Sequence, residues 1–285
     1  MNKNVFFKPG ARVLPAGCAD SPAPVMDGLS LDAKAYLDRS AAYNEKGEWD
    51  KAIADCNQAL RLNPNYAQAY NNRGVANYDT GDMDKAIADW TQAIRLEPNY
   101  ADAYYNRGLA YNNKGEYDKA IADYNQALRL NPNLADAYND RGIANYDTGD
   151  MDKAIADWTQ AIRFEPNYAD AYYNRGLAYN NKGEYDKAIA DWTQAIRLEP
   201  NYADAYNNRG VAYNNKGDMD KAIGDYTQAI RLEPNDAGTY FNRGLTYYNK
   251  GEYARTRADW EQVLQLDPNH ADARNNLEVL RKEGH

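Results

Sequence analysis

An all-α solenoid built from helical hairpins is the fold class this sequence predicts, and three observations carry the prediction. Proline stands at 64, 98, 132, 166, 200, 234 and 268, each 34 residues after the last. Arg-Gly recurs on the same period at 73–74, 107–108, 141–142, 175–176, 209–210 and 243–244, with Arg39-Ser40 opening the series. Between these markers apolar residues fall three to four apart, the spacing of one helix face. Repetition on a period of roughly 20–50 residues indicates stacked units, each too small to bury its own apolar face.

Counting back from each proline gives seven units, 33–66, 67–100, 101–134, 135–168, 169–202, 203–236 and 237–270. Residues are placed 1 to 34 within a unit, so that the proline is place 32. Unit 101–134 shows the pattern. Its first helix carries Ala103, Tyr104, Ala110 and Tyr111 with Gly108 between them. Asn113-Lys114-Gly115 then makes a turn, since glycine tolerates the positive φ that ends a helix. The second helix runs through Ala120, Ile121, Tyr124, Ala127 and Leu128 and stops before Pro132, because the residue preceding proline is pushed out of helical geometry. Asn133 and Asp136 have the spacing of a capping box for the next helix. Gly108 sits inside its helix, where glycine costs about 1 kcal/mol in propensity; its recurrence in six units predicts close approach of the partner helix.

Outside the array, residues 1–32 hold Pro9, Gly10, Pro15, Gly17, Pro22, Pro24 and Gly28 and form a loose arm or leader. Leu14-Pro-Ala-Gly-Cys18 resembles a lipoprotein cleavage box, but Lys8, Pro9, Gly10 and Arg12 interrupt the apolar run such a leader needs. Lipidation at Cys18 is the lesser expectation, a mobile arm the main one. Residues 271–285 begin an eighth unit with one helix, whose Leu277 and Leu280 stand among charged residues, as a terminal cap requires. Cys56, where other units have Tyr or Trp, is a core filler.

Composition excludes several classes. The net charge of −9 argues against a nucleic-acid binder, which needs a basic face. No apolar run approaches 18 residues, so no membrane span is expected. Two cysteines and two histidines cannot supply a zinc cluster or a buried nucleophile–base constellation, and phosphate-binding glycine loops are missing. The chain reads as a non-enzyme with no cofactor or metal. Its core must come from alanine and from 26 Tyr and 5 Trp.

The repeat resembles the tetratricopeptide repeat: Tyr104, Gly108, Tyr111, Ala120, Tyr124, Ala127 and Pro132 match that family's signature, and the likeness extends from residue 33 to about 283. The resemblance implies a right-handed superhelix with first helices lining its concave side. One departure is systematic. Arg fills place 7 in every unit and Asp fills place 23, which predicts a structural Arg–Asp bridge between the two helices, as at Arg175 and Asp191.

The concave stripe reads as a ladder of amides and rings. Place 6 holds Asn72, Asn106, Asp140, Asn174, Asn208, Asn242 and Asn276; place 5 holds Asn71, Tyr105, Asn139, Tyr173, Asn207 and Phe241; place 12 supplies Tyr78, Tyr146 and Tyr248. A carboxamide donates and accepts, so it pairs with any peptide group whatever the guest sequence. In some long members of the family, asparagines at place 6 hold an extended peptide by its backbone, and the resemblance carries that role to these positions. The competing reading is that they are solvated or cap local backbone. The lysines of a two-carboxylate clamp are missing, and Asp102, Asp136, Asp170, Asp204 and Asp272 would repel an acidic tail. A neutral or basic protein segment is the expected partner.

Two functions follow. The first is a protein-interaction scaffold gripping an extended segment. The alternative is a structural protein stacking end to end into an oligomer or filament, since near-identical units make each end resemble an internal interface. A cytoplasmic location is the default, with export or anchoring through Cys18 as the alternative.

Overall fold

The computed structural model describes residues 32–284, and Cys18 with the rest of the arm lies outside them. The described residues form fifteen α-helices: α1 (Ala33–Glu45), α2 (Trp49–Leu62), α3 (Ala67–Asp79), α4 (Met83–Leu96), α5 (Ala101–Asn113), α6 (Tyr117–Leu130), α7 (Ala135–Asp147), α8 (Met151–Phe164), α9 (Ala169–Asn181), α10 (Tyr185–Leu198), α11 (Ala203–Asn215), α12 (Met219–Leu232), α13 (Ala237–Asn249), α14 (Tyr253–Leu266) and α15 (Ala271–Lys282). Odd-numbered helices are first helices and even-numbered ones second. Two compact units divide the chain, one ending at Phe164 and one beginning at Glu165. Within each, hairpins pack consecutively, giving an all-α solenoid.

Local sequence sets each boundary. The turn glycines take positive φ, from 72° at Gly47 to 90° at Gly149. Second helices end two residues before proline, with the intervening residue extended, as at Asn131 (φ −130°, ψ 92°). The capping box expected at Asn133 does not form. The N-cap is Leu134, which has no side-chain acceptor, and Asn133 instead gives its backbone N–H to Asn131 Oδ1 at 3.3 Å. The Pro-Asn turn engages the asparagine before the helix starts. Glu116 likewise precedes α6 without capping it, whereas the shorter Asp82 accepts from Lys85 N at 3.2 Å.

Inside a hairpin, the helical glycine exists because of an aromatic ring. A β-carbon on Gly74, Gly142 or Gly176 would lie 2.7 Å from Nε1 of Trp90, Trp158 or Trp192, and one on Gly108 or Gly210 would lie 2.8 Å from the Tyr124 or Tyr226 ring. The first hairpin breaks the rule at both partners together: Ser40 replaces the glycine, and the small, fully buried Cys56 replaces the ring. Alanines fill the rest of the helix contacts. Ala69, Ala76, Ala103, Ala110, Ala120 and Ala127 are all fully buried, so the backbones approach closely and rings occupy the remaining volume.

In every unit Arg at place 7 braces its own second helix. Arg175 donates from Nε to Asp191 Oδ2 at 2.8 Å and from Nη2 to Asp191 Oδ1 at 2.7 Å. Matching two-point pairs join Arg39–Asp55, Arg73–Asp89, Arg107–Asp123, Arg141–Asp157, Arg209–Asp225 and Arg243–Asp259. Burial raises the Asp191 carboxyl while Arg175 opposes that rise. The guanidinium also reaches the preceding hairpin: Nη1 donates to Asn57 from Arg73 and to Asn125 from Arg141 at 2.6 Å, and to Thr91 from Arg107 and Thr193 from Arg209 at 3.0 Å. One side chain therefore fixes both the hairpin and its stacking register.

Candidate functional site

The first-helix face was the sequence-predicted site, and its two ends differ. In the N-terminal unit the amide ladder is interior. Asn71, Asn72, Asn106, Asn139 and Asp140 are at most 1 % exposed, and the Tyr105 ring is fully buried. The ladder pairs place 5 of one hairpin with place 6 of the next. Asn106 Nδ2 donates to Asn71 Oδ1 at 3.1 Å, and the Tyr105 hydroxyl donates to Asp140 Oδ2 at 2.8 Å. Asn139 Nδ2 adds a bond to Asp140 Oδ1 at 3.1 Å. Neither a free carboxamide for a guest nor an aromatic pocket exists at Asn71, Asn72, Tyr105, Asn106, Asn139 and Asp140. Adjacent first helices come close enough there to bury the stripe, so its polar groups satisfy one another.

Asn174 and Tyr173 are buried as well, and burial drives the Tyr173 phenol well above its ordinary range. Its oxygen accepts from Asn208 Nδ2 at 3.0 Å. Beyond α9 the face opens. Asn207, Asn208, Val211, Phe241, Asn242 and Leu245 are half-buried, Asn276 likewise, and Val279 is 47 % exposed. Asn242 Nδ2 donates to Asn207 Oδ1 at 3.2 Å, the same offset as in the buried ladder. That offset runs out at the end, because the residue in line with Asn276 is Phe241, a ring without an acceptor. Phe241 instead lies against His270, ring centroids 4.9 Å apart, and over the Trp260–Leu277 cluster.

The ring positions also divide. Tyr78 and Tyr146 pack on Trp90 and Trp158 at 6.0 and 6.1 Å, and Tyr78 accepts from Asn113 Nδ2. Tyr248 is half-buried and donates to Glu283 Oε2 at 3.0 Å; that carboxylate holds its phenol above the usual value. Acidic groups border the open part: Asp204 and Asp272 on α11 and α15, and Glu283. Sequence reasoning missed the pairing between hairpins, although its signal was present. Residues 35 apart are complementary: Asn71/Asn106, Tyr105/Asp140, Tyr173/Asn208 and Asn207/Asn242.

Among the described residues no helix is long and apolar enough to cross a membrane, and no acidic, cysteine or histidine cluster could hold a metal.

Comparison with known proteins places this geometry. Family models described as tetratricopeptide repeat and TPR repeat match residues 101–134, 203–236 and 237–270, and 41–81, 76–115, 144–183 and 178–217. A TPR repeat-containing thioredoxin from Arabidopsis thaliana is 47 % identical over 45 residues, 15 % of this chain and 7 % of that protein. A chain of the APC/C hetero-tetramer Cut9–Hcn1 superimposes with a TM-score of 0.64 at 22 % identity, over 86 % of this chain and 48 % of that one. YrrB, described as a TPR protein with an unusual peptide-binding site, superimposes with a TM-score of 0.58 at 24 % identity, over 69 % of this chain and 97 % of its own. The chain thus spans a small fraction of the curated relative and about half of the Cut9–Hcn1 chain. Matched over most of its length by repeat models and folded as stacked 34-residue hairpins, the chain belongs to the tetratricopeptide repeat family.

Proposed function

We propose that this chain is a protein-interaction scaffold without catalytic activity that holds an extended, neutral or basic segment on the first-helix face of α11, α13 and α15. Family members commonly mediate protein–protein contacts, which supports the general role. The observation that carries the finer reading is the half-exposure of Asn207, Asn208, Asn242 and Asn276 around Phe241, Val211 and Leu245. The carboxamides of Asn207, Asn208 and Asn242 are each engaged once within the protein and remain half-exposed, while Phe241 and Val279 offer apolar contact for side chains. Asp204, Asp272 and Glu283 favour a guest without negative charge.

Self-stacking is disfavoured. Interior hairpins stack by placing an alanine-lined first helix on a preceding second helix, but α14 is already covered by α15. The outer side of α15 carries Arg274, Glu278, Arg281 and Lys282, which matches no alanine face.

The test is a peptide-array screen with the full chain, followed by titration of the best neutral or basic hit. Each amide pairing contributes about 0.5–1.5 kcal/mol, so Asn242→Ala with Asn276→Ala should weaken binding by about 5- to 150-fold. Unchanged affinity, at an unchanged melting midpoint, would show that the guest does not use the ladder.

A further inference from the structure

Around the place 7 arginine, two of the seven hairpins depart from the pattern of the others. In five hairpins the place 7 guanidinium is sandwiched between two tyrosine rings. Arg107 lies 5.8 Å from Tyr104 and 5.9 Å from Tyr111; Arg175 lies 5.7 Å from Tyr172 and 5.9 Å from Tyr179; Arg209 and Arg243 have similar pairs. A lysine of the second helix tops the outer ring, at 5.2 Å for Lys119 on Tyr111 and 5.1 Å for Lys187 on Tyr179. Hairpins 67–100 and 135–168 carry Asn77 and Asn145 in place of the outer tyrosine. There Arg73 and Arg141 each have one ring, Tyr70 or Tyr138, at 5.4 Å.

The consequence around Arg141 is a cleft of about 520 Å³. It is bounded by Asp118, Ile121 and Asn125 of α6, by Arg141 and Asn145 of α7, and by Lys153 of α8. Asn145 donates to Asp157 Oδ2 at 2.9 Å, and both line the cleft. Lys153 pairs with Asp150 at 2.7 Å, as Lys119 pairs with Glu116 at 2.5 Å while lying over Tyr111. The cationic walls that hold a ring in the neighbouring hairpin are therefore both present.

We propose that the cleft at Arg141, Asn145 and Lys153 receives a tyrosine side chain of a partner protein, which completes the ring–guanidinium–ring sandwich found in the other hairpins, and that Arg73, Asn77 and Lys85, the same residues one two-hairpin period earlier, do likewise. Cations held over an aromatic face attract its quadrupole, and the carboxylates of Asp118 and Asp150 at the rim offer acceptors to a phenol. Recognition here does not depend on the first-helix face, so each reading stands or falls separately.

The probe is N-acetyl-L-tyrosinamide, titrated into the full chain while the side-chain Nε–H signals of all arginines are followed by NMR. Saturable shifts are expected at Arg73 and Arg141 and not at Arg107, with a dissociation constant near the millimolar range. Asn77→Tyr with Asn145→Tyr fills both clefts with the chain's own rings and should weaken the response at least about tenfold. N-acetyl-L-leucinamide, tested on the unaltered protein, should give no shift at either arginine. No saturable response in the unaltered chain, an equal response at Arg107, or an equal response to the leucine compound would overturn the proposal; so would full retention in the doubly substituted chain.

Discussion

Individual side chains in this molecule are fixed by what stands one helix away. Gly176 illustrates the coupling. Alanine there would gain about 1 kcal/mol of helix propensity, yet its β-carbon would meet Trp192 at 2.7 Å. Overpacking a closed site costs about 1–3 kcal/mol, and Trp192 is fully buried, so Gly176→Ala should bring no gain and lower stability by up to about 2 kcal/mol in urea unfolding. The first hairpin supplies the reciprocal test. Cys56→Trp should be destabilising beside Ser40, and Ser40→Gly should restore most of the loss; additive effects would mean the two positions are not coupled. Burial also pushes the Cys56 thiol up to about 12. A raised thiol pKa stabilises the folded state below the ordinary value, and that contribution is lost as pH climbs through about 12. In a Cys18→Ser protein at pH 8, a thiol reagent should label Cys56 no faster than the chain unfolds, and rapid labelling under native conditions would contradict its burial.

At the level of helices and hairpins, polar groups decide register while alanines and rings supply cohesion. Asp191 is buried and held at two points by Arg175. Asp191→Ala leaves the guanidinium without its partner and should cost about 3–5 kcal/mol, whereas Arg175→Leu with Asp191→Asn should cost clearly less. Equal midpoints for the single and double changes would reject the pairing as a stabilising unit. Between hairpins, Tyr105→Phe removes a donor from buried Asp140 and should cost about 1–3 kcal/mol, part of it recovered by Asp140→Asn. Helix bounds, glycine turns, proline stops and the Arg–Asp pairs were all legible in the sequence because each rests on one residue type with one local or repeating geometry. The ladder was legible only as a stripe. A helical wheel reports which residues share a face, but not how closely the next helix approaches. Asn72 and Asn242 have identical sequence signals, yet one is buried and the other half-exposed, because depth depends on neighbours 34 residues away. The Arg73 bond to Asn57 was missed for the same reason.

Across residues 67–202 two hairpin types alternate, and the contacts they make differ with order. Units 67–100 and 135–168 differ at four places and units 101–134 and 169–202 at five, so the period of that stretch is two hairpins. When 101–134 follows 67–100, Asn113 donates to the Tyr78 hydroxyl and Lys114 pairs with Asp84 at 2.6 Å. When 135–168 follows 101–134, the Tyr105 hydroxyl donates to Asp140, Arg141 reaches Asn125, and Tyr117 hydrogen-bonds Asp147, whose carboxyl burial raises. Each of these two junctions is thus held by its own set of donors and acceptors. In an array whose stability is a sum of hairpins and nearest-neighbour interfaces, order should matter at constant composition. Exchanging 67–100 with 101–134 sets Asn71 in place of Tyr105 in line with buried Asp140 and takes Asn113 away from the Tyr78 hydroxyl. Stability should fall by about 1–3 kcal/mol, the scale of one or two lost buried hydrogen bonds. Exchanging 67–100 with 135–168 in a chain that also carries Asn72→Asp and Asp140→Asn, so that each place 6 residue keeps its partner on the preceding hairpin, preserves every neighbour type and should stay within about 0.5 kcal/mol of the original. Indistinguishable unfolding curves for the two rearrangements would mean that the alternation records a duplication and contributes nothing to how the hairpins select their neighbours.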